Sequence, residues 1–221
     1  MTRLDIKQDL SSLSNRKAAE NRNKFNTNGV YVINMMGSPG AGKTTLLENI
    51  LPKLSAHVRT AVIEGDLATR NDALRIEKTG VTALQINTNG GCHLDAKMIE
   101  KQLLKLELDS LDLIIIENVG NLVCPASFDL GEDMRMVVLS VAEGEDKPVK
   151  YPTAFLNANT AVITKTDLLP YIDADVHVMK KYIAEINPKV IVFETTKKDG
   201  VYAADQVVEY IIEQVKLKQS R

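Results

Sequence analysis

The sequence predicts an α/β fold: a doubly wound, mostly parallel sheet of about seven strands with helices on both faces. Short apolar runs alternate along the chain with segments of helical periodicity, which is the βαβ pattern. The runs are apolar throughout, as expected of strands buried on both faces of a parallel sheet. Ligands of such sheets bind at the carboxyl ends of the strands, so we expect the functional residues there.

Each predicted element follows from this alternation. The predicted strands cover residues 30–36, 58–64, 81–86, 111–116, 136–141, 160–164 and 190–193. The predicted helices cover residues 44–54, 71–78, 94–106 and 203–216. Pro52 predicts an early end or a kink in the first of these helices. Residues 1–28 are predicted to form a solvent-facing helical extension that ends near Gly29, and residues 29–221 to form the domain itself.

The composition is that of an ordinary globular protein. Of 221 residues, 44% are hydrophobic and 25% charged. The net charge of −2 gives no reason to expect nucleic acid or an anionic membrane as a partner. No apolar run approaches the roughly 18 residues that span a bilayer, so we expect a cytoplasmic protein. Two cysteines are too few for a disulfide framework.

A glycine-rich turn follows the first predicted strand. Residues 37–44 have the spacing Gly-x-x-x-x-Gly-Lys-Thr, with the strand before and the helix after that a phosphate-binding P-loop requires. Glycines let backbone N–H groups surround phosphate oxygens, and the helix N-terminus adds a positive dipole. Lys43 would reach the β and γ phosphates, and the Thr44 hydroxyl would ligate Mg²⁺. The candidate phosphate-binding residues are Gly37, Ser38, Pro39, Gly40, Ala41, Gly42, Lys43, Thr44 and Thr45.

Two acidic residues end apolar strands. Asp66 follows the second strand, and Glu117 follows the run of isoleucines that ends the fourth. Either carboxylate could hold Mg²⁺ or its waters beside the phosphates, although acidic residues also cap turns at strand ends. The candidate magnesium ligands are therefore Thr44, Asp66 and Glu117, and the candidate catalytic residues are Lys43 and Asp66.

A late strand ends in Thr164-Lys165-Thr166-Asp167. This is similar to the Asn-Lys-x-Asp guanine motif of GTPases, with Thr where Asn is usual. A carboxylate at Asp167 can accept hydrogen bonds from the N1–H and 2-amino groups of guanine, which adenine cannot offer. Lys165 and Asp167, with Thr196 and Lys197 after the next strand, are the candidate guanine-binding residues. The alternative is a surface turn, and the Thr leaves the preference for GTP over ATP open.

Three soft ligands follow two of the predicted strands. Cys92 and His93 precede a helix, and Cys124 lies seven residues after Glu117. Thiolate and imidazole suit Zn²⁺ or Ni²⁺, but three ligands are one fewer than a closed zinc site needs. The spacing alone equally suits two buried thiols and a histidine near a helix cap. We expect His57 and His177 to be surface residues.

These segments together resemble the hydrogenase nickel-incorporation GTPase family (HypB). The resemblance extends from about residue 30 to 171, and its most distinctive part is the stretch Glu-Asn-Val-Gly-Asn-Leu-Val-Cys-Pro-Ala at 117–126. Its other parts are residues 37–45, 64–66, 91–96, 140–148 and 165–169. The cysteine-rich amino-terminal motif and histidine-rich stretch of some members are absent, so no nickel storage is expected there.

The resemblance implies a GTP-dependent homodimer that delivers nickel to the large subunit of a nickel–iron hydrogenase, together with other maturation proteins. It also implies that Cys92, His93 and Cys124 bind zinc or nickel at the dimer interface. We hypothesise that GTP and Mg²⁺ stabilise the dimer and that hydrolysis moves the ligand loop and releases the metal. No arginine finger or catalytic base is recognisable, so slow hydrolysis is expected. The alternatives are a urease-type metallochaperone, a small-molecule kinase, or a metal-storage or metal-sensing module.

Overall fold

A parallel sheet of seven strands forms the centre of the computed structural model, which describes residues 3–66 and 71–220 and the side chains of 13–66 and 72–220. The strands are β1 (Tyr31–Met36), β2 (Thr60–Asp66), β3 (Thr82–Asn87), β4 (Leu113–Glu117), β5 (Met134–Ser140), β6 (Thr160–Thr164) and β7 (Ile191–Glu194). Their order is β3-β2-β4-β1-β5-β6-β7, and every neighbouring pair is parallel. The predicted fold class is confirmed.

Helices cover both faces of this sheet. They are α1 (Arg3–Thr27), α2 (Lys43–Ser55), α3 (Asn71–Glu77), α4 (Ala96–Leu103), α5 (Lys147–Lys150), α6 (Pro152–Leu156), α7 (Val176–Ile186) and α8 (Asp205–Gln219). Apolar side chains of α2, α3 and α8 pack on one face, and those of α1, α4, α6 and α7 pack on the other. Within the described residues, none of these helices has the length and apolar character that a membrane span requires.

The amino-terminal helix is packed more closely than the sequence predicts. Ala18 and Phe25 on α1 are fully buried, and Phe25 belongs to the apolar cluster between the sheet and α4. The side-chain amide of buried Asn21 donates to the carbonyl oxygens of Ala96 and Leu130, at 2.8 and 3.2 Å. The prediction of a solvent-facing helix is therefore wrong for this half of α1. The sequence does not reveal the buried side of α1, because only a few positions on that side are apolar.

Three other local predictions differ from the structure. Helix α2 continues through Pro52 to Ser55, where the burial of Leu51 and Leu54 holds its last turn against the core. Helix α7 was not assigned from sequence, although its apolar residues recur with helical spacing. Strands β8 (Thr196–Lys198) and β9 (Val201–Ala203) form a small hairpin around Asp199 and Gly200, both with positive φ. Such short, exposed strands carry no hydrophobic pattern.

Candidate nucleotide site and metal centre

The glycine-rich turn between β1 and α2 has the backbone that its sequence predicts. Gly40 and Gly42 have φ angles of 75° and 97°, in the left-handed region that favours glycine. A Cβ atom at Gly37 would overlap the carbonyl oxygen of Val138 on β5. The turn opens onto a cavity of about 440 Å³, large enough for a small-molecule ligand. Of the nine residues predicted to bind phosphate, the cavity is lined by Pro39, Gly40, Gly42, Lys43, Thr44 and Thr45, whereas Gly37, Ser38 and Ala41 lie in the turn outside its lining.

Lys43 begins α2 and reaches back over the turn. Its Nζ donates to the carbonyl oxygens of Gly37 and Ser38, at 3.1 and 3.4 Å, and the residue is only 8% exposed. Burial lowers the pKa of Lys43, and the nearby carboxylate of Glu117 opposes this effect. An ammonium group withdrawn from water in this way suits an anionic ligand in the cavity.

A pair of glutamates lies at the carboxyl ends of β2 and β4. Glu117 accepts a hydrogen bond from the Thr44 hydroxyl at 2.8 Å, so two of the predicted magnesium ligands are in contact. Glu64 is the register partner of Glu117 on the neighbouring strand, and both residues are buried. The Oε2 atoms of both carboxylates are buried and lack a hydrogen-bond partner among the described residues. Asp66, the third predicted ligand, lines the same cavity.

The electrostatics of this pair fit a divalent cation. Burial raises the pKa of Glu64 to about 8, and repulsion by Glu117 adds to the effect. Burial also raises the pKa of Glu117 to about 7, against the attraction of Lys43. Oxygen atoms left without partners are hard ligands of the kind that Mg²⁺ prefers. The residues present therefore fit Mg²⁺, held by Thr44 and Glu117 with Asp66 and Glu64 beside them.

Glu64 and Arg75 are among several cavity-lining residues that the sequence motifs do not identify. Glu64 ends the same apolar run as Asp66, but its position opposite Glu117 depends on which strands are neighbours in the folded sheet. Arg75 on α3 also lines the cavity, where its guanidinium donates to the Thr45 hydroxyl at 3.2 Å and pairs with Glu48 and Asp72. No sequence motif marks this arginine, because its position depends on how α3 packs against α2.

The predicted guanine-binding segments lie together beside the turn. The Asp167 carboxylate accepts a hydrogen bond from the backbone N–H of Lys197 at 3.0 Å, and Thr196 precedes Lys197 on β8. Lys165 has φ 61°, and its Nζ donates to the carbonyl oxygen of Gly40 at 2.8 Å. The fully buried hydroxyl of Thr164 donates to the carbonyl oxygen of Ala41 at 2.6 Å. The Thr164 side chain therefore links the end of β6 to the glycine-rich turn through its hydroxyl.

The two cysteines and His93 form one cluster at the same edge of the sheet. Their ligand atoms all lie within 4.8 Å of one another. The Sγ atoms of Cys92 and Cys124 are 2.8 Å apart, and Cys92 Sγ is 3.5 Å from His93 Nδ1. Both thiols are free. The structure thus brings together the three predicted ligands, while His57 and His177 are exposed, as predicted.

The protonation chemistry of the cluster depends on its surroundings. The His93 ring stacks on Phe128 with centroids 3.9 Å apart, and burial lowers the pKa of this histidine. A lower pKa keeps the imidazole neutral, which is the form that ligates metals. A hydrogen bond to Cys124 raises the pKa of the Cys92 thiol. Since metal binding requires thiolate, an ion at this site would displace protons.

Two asparagines of residues 117–124 contact the segment that carries Cys92 and His93. Asn118, next to Glu117, accepts a hydrogen bond from the backbone N–H of Leu94 at 3.1 Å. Asn121 donates to the carbonyl oxygen of Cys92 at 3.2 Å, and its backbone forms a bridge with Gly37. The candidate nucleotide site and the candidate metal centre are therefore in direct hydrogen-bonded contact through residues 117–124.

The sheet, the glycine-rich turn and the cavity above it define a P-loop nucleotide-binding protein. Residues 31–194 match the family described as "CobW/HypB/UreG, nucleotide-binding domain". The chain belongs to this family, and the resemblance found in the sequence is confirmed.

Individual relatives agree with the family. The chain is 48% identical over 197 residues to the "Hydrogenase maturation factor HypB" of Azotobacter chroococcum mcd 1, covering 89% of this chain and 65% of that protein's length. The "Hydrogenase/urease maturation factor HypB" of Helicobacter pylori strain J99 is 44% identical over 205 residues, with 90% and 84% covered. A crystal structure of HypB from Helicobacter pylori in complex with nickel superposes with a TM-score of 0.82 and 42% identity, covering 94% of this chain and 95% of that one.

Proposed function

We propose that this protein is a GTP-hydrolysing metallochaperone that binds nickel or zinc and assists nickel insertion into a nickel–iron hydrogenase. The observation that carries the proposal is the eight-residue segment from Glu117 to Cys124. One end of this segment bonds the P-loop threonine, and the other supplies a ligand of the Cys92/His93/Cys124 cluster. Nucleotide and cargo metal would therefore act on one short piece of backbone.

The nucleotide half of the proposal assigns a role to each cavity residue. The backbone N–H groups of 37–45 and the Lys43 ammonium bind the phosphates, and Thr44, Asp66 and Glu117 hold Mg²⁺ or its waters. Mg²⁺, when bound, neutralises negative charge on the phosphates as the phosphoanhydride bond breaks. Lys43 and Asp66 are the proposed catalytic residues. Lys165, Asp167, Thr196 and Lys197 bind guanine, which favours GTP and GDP over adenine nucleotides.

The metal half assigns Cys92, His93 and Cys124 to zinc or nickel as cargo. Three ligands leave a coordination position for water, a second copy of the chain, or an acceptor protein. A homodimer with paired clusters would satisfy this requirement, and the hydrogenase large subunit and other maturation proteins are the proposed acceptors. The name of the Azotobacter relative supports this assignment. We further propose a cytoplasmic location, with residues 1–28 as a helical extension of the P-loop domain formed by 29–221.

A second destination for the metal is urease. The Helicobacter pylori relative carries both hydrogenase and urease in its name. Transfer of ⁶³Ni from the loaded protein to an apo-urease, compared with transfer to a hydrogenase large-subunit precursor, would distinguish the two destinations.

The proposal is tested by measuring hydrolysis of GTP and ATP with and without Zn²⁺ or Ni²⁺, with light scattering to record oligomeric state. We expect slow hydrolysis that favours GTP. Lys43→Ala should abolish it, whereas the exposed control Lys105→Ala should not. A metal-storage or metal-sensing module would bind nickel identically with either variant and with any nucleotide.

The guanine-binding residues and the metal centre are each tested by their own substitution. Asp167→Ala should remove the preference for GTP over ATP, whereas Asp173→Ala, an exposed aspartate six residues away, should retain it. Cys92→Ala should weaken nickel binding. Parent-like nickel affinity in Cys92→Ala, both with and without GTP, would refute the proposed metal centre.

A further inference from the structure

Glu64 is a buried carboxylate that lacks a hydrogen-bond partner for one of its oxygens in the described part of the chain. The residue is 2% exposed, and its Oε2 has no hydrogen-bond partner among the described residues. It lines the cavity above the glycine-rich turn, so the carboxylate faces the ligand space and not the apolar core. A buried ionisable group without a partner is costly unless a ligand completes it.

The neighbours of Glu64 make a purely structural role unfavourable. Its register partner is Glu117, and Asp66 is two residues along the same strand, so like charges surround it. Lys43 is the nearby cation, but its ammonium donates to the carbonyl oxygens of Gly37 and Ser38. Adjacent buried carboxylates of this kind are balanced by a bound cation more readily than by one lysine.

Strand order determines how far Glu64 lies from the phosphates. β4 lies directly beside β1, which leads into the glycine-rich turn, and β2 lies one strand further out. Parallel strands are about 4.8 Å apart, whereas Mg²⁺–oxygen bonds are about 2.1 Å long. A cation held by Thr44 and Glu117 would therefore have the Glu64 carboxylate one strand further out, in reach of its water ligands. Mg²⁺ in proteins usually keeps several waters, so acceptors for their hydrogens are needed.

We propose that Glu64 is a positioning residue that accepts hydrogen bonds from the waters of the nucleotide-bound Mg²⁺. Its effect is on how tightly the cation is held with the nucleotide. The inference rests on the proposed nucleotide site and adds a residue to it.

The test measures binding of a fluorescent GDP analogue across a Mg²⁺ titration that starts in EDTA. Loss of a partner of metal-bound ligands typically weakens metal affinity by about 10–100-fold. We therefore expect Glu64→Gln to raise the Mg²⁺ concentration for the half-maximal effect by at least about tenfold. GDP affinity in EDTA should not fall, because the interaction that the substitution removes requires the cation. Glu64→Asp keeps the charge and should restore part of the Mg²⁺ response.

Glu77→Gln on α3, an exposed glutamate, is the matched control and should behave as the parent. A half-maximal Mg²⁺ concentration for Glu64→Gln within twofold of the parent would overturn the inference, whether or not hydrolysis is lost. A parent protein that does not bind GDP at any Mg²⁺ concentration would instead refute the proposed nucleotide site, and this inference with it. Thermal unfolding in EDTA should show that the Glu64→Gln protein is folded, since it loses a like-charge contact.

Discussion

The Thr164 hydroxyl links the end of β6 to the glycine-rich turn, and its loss should loosen the turn. Thr164→Val keeps the shape of the side chain but leaves the buried carbonyl oxygen of Ala41 without its donor. We expect the free energy of unfolding to fall by about 1–3 kcal/mol. GDP affinity should fall several-fold, because the turn is then less well ordered before binding. Urea unfolding and GDP titration measure the two effects.

Thr164→Ser is the control, because it retains the hydroxyl. Its free energy of unfolding should remain within about 0.5 kcal/mol of the parent protein's. If Ser and Val lower GDP affinity equally, the hydrogen bond is not responsible, because Ser retains the hydroxyl. The glycine at position 42 lets the turn lie close to Thr164, since a Cβ atom there would be 3.3 Å from the Thr164 hydroxyl oxygen.

Individual residues were predictable where a motif fixes their spacing. Lys43 and Thr44 follow from the glycine-rich turn, and Asp167 follows from its place after a strand. Thr164 and Glu64 did not follow, because their roles depend on which strands are neighbours. The chain order of the strands does not reveal that β4 lies between β1 and β2, and the register Glu64↔Glu117 exists only in the folded sheet.

Helix α1 is an element whose burial the sequence understated, and Phe25 is its main anchor. Phe25→Ala removes a fully buried ring from the cluster between the sheet and α4. We expect a loss of about 3–5 kcal/mol in the free energy of unfolding, measured in urea. Leu13→Ala on the same helix is the control, because Leu13 is 47% exposed and should cost little. Equal losses in the two variants would mean that the burial of Phe25 is not what holds α1 against the domain.

Helices and strands were predictable where their residues form a clear apolar pattern. All seven strands of the main sheet were found from apolar runs, with ends that differ by a few residues. Helix α4 begins later than predicted, because Asp95 caps it by accepting a hydrogen bond from the Met98 N–H at 2.7 Å, and it ends at Leu103 instead of residue 106. The hairpin β8–β9 was missed because its backbone pairing is set by a turn at 199–200 and not by burial.

Asp112 connects three elements and gives the stability a predictable dependence on pH. Its carboxylate, just before β4, accepts hydrogen bonds from the Arg59 backbone and guanidinium before β2, and from Gln219 at the end of α8. The Arg59 side chain, more than any other group, lowers the pKa of Asp112 to about 2. A lowered acid pKa stabilises the fold above the unfolded value of about 4, and this stability is lost as pH falls from about 4 through 2.

Asp112→Asn should therefore lower the free energy of unfolding by about 1 kcal/mol at pH 7, because Arg59 is solvent-exposed and the pair is screened. The difference from the parent should shrink below about pH 4 and vanish near pH 2, in urea melts across this range. Asp173→Asn, an exposed aspartate, is the control. A difference that is constant with pH would show that the carboxylate charge is not the source.

At the scale of the whole molecule, the parallel sheet places all the chemistry at one edge. The glycine-rich turn follows β1, the glutamates end β2 and β4, the cysteines follow β3 and β4, and Asp167 follows β6. Sequence reasoning predicted this convergence, because carboxyl ends of parallel strands share an edge. It did not predict the contacts within it. Gly120 lies against Pro39, where an added Cβ would be 3.0 Å from the proline ring, and Asn121 touches both the turn and the cysteine loop.

Asn121 should carry most of the coupling between nucleotide and metal. Its amide donates to the carbonyl oxygen of Cys92, and its backbone pairs with Gly37, so movement of the P-loop would be passed to Cys92, a proposed metal ligand. Coupling between two ligand sites typically changes affinity by about 5–150-fold. We expect the parent's nickel affinity to differ by such a factor between GDP and a non-hydrolysable GTP analogue. In Asn121→Ala this factor should fall to within about twofold of one, while the protein still binds each ligand.

Reciprocity makes the experiment stringent, because nickel must change the affinity ratio of the two nucleotides by the same factor that they change nickel affinity. Isothermal titration of nickel and nucleotide in both orders therefore measures one quantity twice. Ser127→Ala, an exposed residue at the end of the same loop, should keep the parent's coupling factor. If Asn121→Ala retains that factor in both orders, the coupling does not pass through the Cys92 carbonyl. The remaining direct links from residues 117–124 to the Cys92/His93 segment, among the described side-chain hydrogen bonds, would then be the one from the Leu94 N–H to Asn118 and the one between the Cys92 and Cys124 thiols.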